Sequence, residues 1–197
     1  MSAGPTGRHR SSSSADSRPH RRDVVRAATP IDTRTDDFEL EPCTATGSFF
    51  IYTHGSAIVC LHHDTLKVER RFEKHSEKVL LVAVDNASER GAGKYCVSYD
   101  AGLTAIVWDL HTGDEVARFI SYEPLKVASW MRNGNIAFGT DDQRFRGRSY
   151  TDGEAGNMQG SVVVFEPSTS EHYSARTIFD PITAIAPAAD CLTYAIG

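Results

Sequence analysis

Long apolar runs are missing from this sequence of 197 residues. The longest are a handful of residues, such as Val79 to Val84, whereas a helix that spans a bilayer needs about 20 apolar residues. The first ten residues also lack the apolar core of a secretory signal. We therefore predict a chain with neither a membrane span nor a secretory leader.

Cysteine is scarce, and no two cysteines lie at the spacing of a CxxC motif. The four are Cys43, Cys60, Cys96 and Cys191. An even number is compatible with disulfides, but without a secretory leader we favour free thiols, most of them buried, in a reducing compartment.

Motifs of nucleophilic catalysis and of phosphate binding are also missing. The sequence holds no G-x-S-x-G, and its clustered glycines fit neither a P-loop nor G-x-G-x-x-G. Its one dense group of metal-type ligands is His62-His63-Asp64. Because neighbouring strand residues point to opposite faces, these histidines are poorly placed to share an ion. We predict no catalytic residue, no metal and no cofactor.

Charge divides the sequence into two parts. Residues 1–30 hold six arginines and two aspartates, a net charge of +4, so the total of −5 leaves −9 for residues 31–197. An acidic body disfavours binding to nucleic acid, which needs clustered Lys and Arg. Residues 1–36 are rich in Arg and Ser and poor in large apolar side chains, so we predict a disordered tail there.

The body, residues 37–197, is built from short runs that are typical of strands. Runs of about 4–7 residues rich in Val, Ile, Phe, Tyr and Thr alternate with Gly, Asp, Asn and Ser. No window of a dozen residues carries the apolar stripe of a helix. This pattern predicts an all-β fold with antiparallel hairpins.

The strand pattern repeats. Four landmarks recur at an offset of 47 residues: Gly55 and Gly102, Leu61 and Trp108, Thr65 and Thr112, Phe72 and Phe119. In a third copy Phe165 takes the place of Trp108, and the spacing grows to 57 residues because of an insertion at 141–160. Thr193 to Gly197 begins a fourth copy. Four strands per unit of about 40–50 residues is the period of a β-propeller blade.

Residues 75–119 resemble a WD40 repeat. His75 takes the place of the histidine in the Gly-His dipeptide, residues 98–102 resemble the Ser/Asp/Gly turn, and Trp108-Asp109 resembles the Trp-Asp end. The resemblance implies a hydrogen-bonded tetrad of His75, Ser98, Asp100 and Trp108. Gly102 precedes Trp108 by six residues, one more than the pattern, so we expect a bulge or a longer turn there.

The resemblance implies a partial β-propeller of about three and a half four-stranded antiparallel blades. An open arc leaves apolar sheet faces uncovered, so we expect a fragment of a longer protein, or a chain that needs further blades or a partner chain to close the ring. The implied function is a non-enzymatic scaffold for other proteins in the cytoplasm or the nucleus. The alternative is a fragment of a propeller enzyme, quinoprotein-like or a hydrolase, whose active site lies in missing blades.

The insertion at 141–160 is the feature that goes beyond a scaffold. It carries Arg144, Arg146, Arg148 and Tyr150, and arginines at alternate positions suit an acidic partner. We predict a partner-binding loop there, against the alternative of a solvated insertion.

Overall fold

A computed structural model describes residues 41–141, 160–178 and 181–197. The predicted tail at 1–36 lies outside these residues. So does the insertion from residue 142 to residue 159, with its arginines and tyrosine, between the tenth and the eleventh strand. All described strands belong to one compact unit, Glu39–Gly197.

The described residues form fourteen strands. The first seven are β1 (Cys43–Ala45), β2 (Phe49–His54), β3 (Ala57–His62), β4 (Val68–Phe72), β5 (Val79–Val84), β6 (Tyr95–Asp100) and β7 (Thr104–Asp109). The others are β8 (Glu115–Ile120), β9 (Leu125–Trp130), β10 (Ile136–Thr140), β11 (Gly160–Glu166), β12 (Glu171–Ile178), β13 (Ile185–Pro187) and β14 (Tyr194–Ile196).

These strands form four antiparallel sheets in which each strand pairs with its neighbour in the chain. Sheet 1 is β1–β4, sheet 2 is β5–β8, sheet 3 is β9–β12, and sheet 4 is the hairpin β13–β14. The first strands of successive sheets, β1, β5, β9 and β13, lie side by side. This is the arrangement of a partial β-propeller, and the predicted all-β fold is confirmed for the described residues.

The sequence of β7 is a nearly continuous apolar run because both faces of this strand are packed against other sheets. Successive side chains point to opposite faces of a sheet. Ile106 and Trp108 pack towards sheet 1, whereas Ala105 and Val107 pack towards sheet 3. Both faces of β7 are covered, so every residue of the strand after the half-buried Thr104 is buried.

The hydrophobic core lies between the sheets and has three parts. One joins sheets 1 and 2 around Ile58, Phe72 and Trp108. The second joins sheets 2 and 3 around Phe119 and Phe138, whose ring centroids are 5.4 Å apart. The third brings β13 and the segment before it onto sheet 3. Each sheet is therefore stabilised mainly by burial against its neighbours.

Two details differ from the sequence prediction. Strand β1 was not predicted, because it has only three residues and one of them, Thr44, is polar. Leu66 begins a run, 66–72, whose pattern predicts a strand, but it has a φ of 52° and lies in the connection before β4. Near Gly102, where a bulge or a longer turn was expected, the β6–β7 pairing has no bulge and a turn at residues 101–103 joins the strands; Leu103 has the positive φ of 65°.

The four cysteines are free thiols. Cys60 and Cys96 are buried in the core between sheets 1 and 2, and burial raises the pKa of both thiols, that of Cys60 to about 11. Thiols held in the neutral form are poor nucleophiles. Cys43 is exposed and Cys191 is half-buried, so the expectation that most are buried holds for only two of the four.

Candidate functional site: a buried polar relay and a groove between sheets

The four residues of the predicted tetrad come from three neighbouring segments of sheet 2. His75 lies in the segment that leads into β5, Ser98 and Asp100 lie on β6, and Trp108 lies on β7. Ser98 and Trp108 share the face that packs on sheet 1, because Ser98 pairs with Ile106 and Cys96 pairs with Trp108. All four side chains are buried.

The four side chains form one chain of hydrogen bonds, which we call the relay. Trp108 Nε1 donates to Ser98 Oγ over 2.7 Å. His75 Nε2 lies 2.7 Å from the same Ser98 Oγ, and His75 Nδ1 lies 2.8 Å from Asp100 Oδ2. The amide of Thr104 donates to the other carboxylate oxygen, Asp100 Oδ1, over 3.0 Å.

The direction of the relay follows from its donors. Asp100 accepts as a carboxylate, so His75 Nδ1 carries the proton, and in a neutral imidazole Nε2 must then accept. The Ser98 hydroxyl fills that requirement by donating to Nε2. The alternative acceptor for this hydroxyl, the carbonyl of Ile106, is farther away at 3.4 Å.

Burial keeps His75 neutral. Desolvation lowers the pKa of the imidazole below its usual value, and the hydrogen bond and charge of Asp100 act in the opposite direction without reversing the shift. The side chains of His75 and Asp100 are 0% and 1% exposed, so water contributes little solvation to a charged imidazole.

A Ser-His-Asp sequence of contacts is also the geometry of a catalytic triad. Here Ser98 is 0% exposed, and its oxygen already receives the indole N–H of Trp108. A nucleophile must reach the substrate, and this oxygen has no access to solvent. The relay therefore fastens the segment before β5 to β6 and β7 and offers no reaction centre.

Aromatic and charged groups close the relay on its other sides. The ring centroid of Phe72 in sheet 1 lies 5.0 Å from that of Trp108. Lys74 Nζ lies 5.8 Å from the indole centroid and 3.3 Å from Glu115 Oε2. The hydrogen bond from Arg118 is the main cause that lowers the pKa of Glu115 to about 2. The edge of the relay is thus covered by paired charges.

Sheet 3 has a different polar contact on the corresponding strands. Thr140 Oγ1 donates to Glu123 Oε2 over 2.8 Å and accepts the amide of Ser161 over 2.8 Å. Phe165 fills the position of the tryptophan and stacks on Phe119, with centroids 4.4 Å apart. The tetrad of sheet 2 therefore has no counterpart at the tryptophan position of sheet 3.

Arg70 forms a link between sheets that sequence reasoning did not find. From β4 its guanidinium donates to three carbonyls of the β7–β8 turn: Leu110 over 3.0 Å, Thr112 over 3.3 Å, and His111. Carbonyls carry no sequence signature, so nothing in the residue pattern points to this contact.

A groove of about 480 Å³ opens between sheets 2 and 3 on the side of the β5–β6 and β9–β10 loops. We call it the inter-sheet groove. Its apolar wall is formed by Tyr95, Val107, Val116 and Trp130, and its polar rim includes Glu89, Arg90, Arg132, Asn135, Glu166 and Ser168. Its volume is in the range of pockets that hold small ligands or peptide side chains.

The loop that forms one wall of the groove is held in place by Asp85. This carboxylate is 0% exposed and accepts the amides of Ala87 and Ser88 over 3.2 and 2.9 Å, as well as the Ser88 hydroxyl. Ser88 Oγ in turn accepts the amide of Gly91 over 2.9 Å. A wall built in this way is ordered before any ligand arrives.

Two contacts tie this loop to sheet 3. Arg132 Nε donates to Glu89 Oε1 over 2.8 Å, and the amide of Glu89 donates to the carbonyl of Arg132 over 3.2 Å. Below them Trp130 Nε1 donates to the carbonyl of Ala83 over 3.0 Å, and its ring stacks on Tyr95 at 6.4 Å. The groove is therefore a preformed feature of the contact between two sheets.

The other predicted site residues, Arg144, Arg146, Arg148 and Tyr150, lie outside the described residues, and a partner-binding loop there stays a prediction. Within the described ranges no group of three or more His, Cys, Asp or Glu side chains is arranged to hold a metal ion. The same ranges contain no helix with the length and apolar character that a membrane span requires.

Comparison with known proteins does not add a family. No protein-family model matches the chain, and no curated protein matches it significantly.

Proposed function

We propose that this chain is a WD40-like propeller scaffold that binds other proteins, acts in the cytoplasm or the nucleus, and has no catalytic activity of its own. One observation carries the proposal: the Asp100-His75-Ser98 chain has the hydrogen bonds of a catalytic triad but is sealed in the core, with Ser98 bonded to Trp108. Its role is then structural. The parts offered to solvent are loop rims and a preformed groove, which suit binding.

The exposed face of sheet 1 supports the need for further blades or a partner chain. Phe50 pairs with Leu61 and Leu61 pairs with Val68, so these three side chains share the face that points away from sheet 2. Phe50 is 38% exposed and Val68 is 63% exposed. A row of apolar side chains at this level of exposure is typical of a surface that another sheet covers.

Two measurements test the proposal. Incubation with a fluorophosphonate probe should leave Ser98 unlabelled, because the probe cannot reach a buried hydroxyl. A tagged chain recovered from cells should retain a protein partner that binds again when both are purified, in a fixed stoichiometry by light scattering. Labelled Ser98, or the failure of every recovered protein to bind again, would contradict the proposal.

A further inference from the structure

The inter-sheet groove has an unusual balance of charge. Glu89 and Arg132 neutralise each other, and Asp85 is saturated by its own loop. In the part of the chain that the structure describes, Arg90 and Glu166 are the two charged rim groups that have no ion-pair partner; the carboxylate of Glu166 accepts the Ser168 hydroxyl over 2.9 Å. Among the described residues, the rim thus offers one cation and one anion that are not ion-paired.

Between these two charges the groove is apolar. Val116 on β8 is 46% exposed, which is high for valine in a strand, and it lines the groove together with Tyr95 on β6. Val107 and Trp130 belong to the same apolar wall and are almost fully buried. An apolar pocket ringed by polar groups is the usual form of an interface hot spot, where one large side chain is buried and the rim excludes water.

We propose that the inter-sheet groove is a docking site for a short extended peptide of a partner protein, with one aromatic or long aliphatic anchor residue flanked by an acidic and a basic residue. The anchor lies on Val116 and Tyr95. The flanking acid pairs with Arg90, and the flanking base pairs with Glu166. This inference rests on the proposed scaffold function and names one surface that serves it.

Preorganisation supports this occupant. The Asp85 and Ser88 hydrogen bonds order the loop that carries Arg90, and the Glu89–Arg132 pair fixes it against sheet 3. A peptide that binds a preformed groove loses only its own conformational freedom. Asn135 on the same rim supplies amide groups for the peptide backbone.

The test uses the full chain and a displayed library of randomised 12-residue peptides as the probe. We expect enriched peptides to share an apolar anchor with an acid on one side and a base on the other. Affinity of a labelled consensus peptide is then measured by fluorescence polarisation. Enrichment without a shared motif, or of a motif that lacks the two charges, would overturn the proposal.

Two variants test whether the peptide binds in the inter-sheet groove. Val116→Asp should weaken binding about tenfold or more, since it puts a charge into the apolar wall. The matched control is Ile120→Asp, which alters an exposed apolar residue of the same strand, 64% exposed, outside the groove lining, and should change affinity by less than about twofold. Equal affinities of the two variants would place the peptide elsewhere.

If Val116→Asp does not fold, a second experiment that exchanges the charges at positions 90 and 166 tests the same proposal. The double variant Arg90→Glu with Glu166→Lys should lose the consensus peptide and bind a peptide whose acid and base are interchanged. Failure of that exchange overturns the inference. If a partner recovered from cells still binds the variants, the scaffold function stands and only this assignment of its surface fails.

Discussion

Ser98 Oγ lies 2.7 Å from His75 Nε2 and 2.7 Å from Trp108 Nε1, so one buried hydroxyl joins a histidine and a tryptophan that lie on different segments of sheet 2. Each hydrogen bond of the relay pairs polar atoms that have no access to water. The removal of one member therefore leaves a buried group without a partner, which costs more than the bond itself contributes.

Trp108→Phe tests the indole end of the relay. The phenyl ring keeps the contact with Phe72 but has no N–H to donate to Ser98, so we expect a loss of about 1–3 kcal/mol in the free energy of unfolding. Urea denaturation followed by circular dichroism measures it. Tyr173→Phe, which removes the hydroxyl of a tyrosine that is 54% exposed, is the control and should be neutral. An unchanged urea midpoint for the tryptophan variant would contradict the relay.

The pH dependence of stability tests the neutral state of His75. Its pKa is lowered in the folded chain, so the unfolded chain binds the proton more readily. The contribution of neutral His75 to the free energy of unfolding is therefore complete above its pKa of about 6.5 in the unfolded chain. It declines as pH falls from there towards its lower pKa in the folded chain.

His75→Gln removes this titration. We expect the variant to be less stable than the wild type at pH 7.5, and the difference between the two to shrink as pH is lowered to 5.5. Chemical denaturation at a series of pH values measures both curves. A difference that stays constant or grows on acidification would show that the imidazole is not held neutral.

Arg70→Lys tests the link between sheets 1 and 2. Lysine keeps the charge but cannot reach three carbonyls with a planar fork, so we expect a loss of about 1 kcal/mol and faster amide hydrogen exchange in the β7–β8 turn. The control is the neighbour Arg71→Lys, an exposed residue on the same strand that pairs with Glu73. If both variants behave alike, the carbonyl contacts contribute nothing to stability.

Gly91→Ala tests the ordered wall of the inter-sheet groove. A Cβ at this position would lie 2.7 Å from Asp85 Oδ2 and 2.7 Å from Tyr95 Cδ2, so the loop must shift. We expect a cost of roughly 1–3 kcal/mol from overpacking. Gly47→Ala, which meets nothing within 4 Å, is the control. Calorimetry should give a lower melting temperature for the Gly91 variant alone.

The strands and the relay were accessible to sequence reasoning for physical reasons. Side chains such as Ile106 and Trp108 must be apolar because both faces of β7 are covered, so strand periodicity and the 47-residue offset are visible in the residues. The relay residues lie at fixed positions within one repeat. Their hydrogen bonding was expected because residues 75–119 resemble a WD40 repeat.

The groove and the Arg70 link were not accessible in the same way. The rim brings together Arg90 and Arg132 from two loops and Glu166 from the end of β11, and no spacing in the sequence records that two sheets meet there. Arg70 binds carbonyls, which every residue has. The three residues of β1 were missed because so short a strand shows no alternation.

A double-mutant cycle on His75 and Trp108 tests the central claim most directly. The account holds that both side chains act through the same Ser98 hydroxyl, so His75→Gln and Trp108→Phe should be non-additive. We predict a coupling free energy of about 0.5–3 kcal/mol between them by urea denaturation at pH 7.5. Additive losses within about 0.3 kcal/mol would contradict the account, since independent sites behave that way.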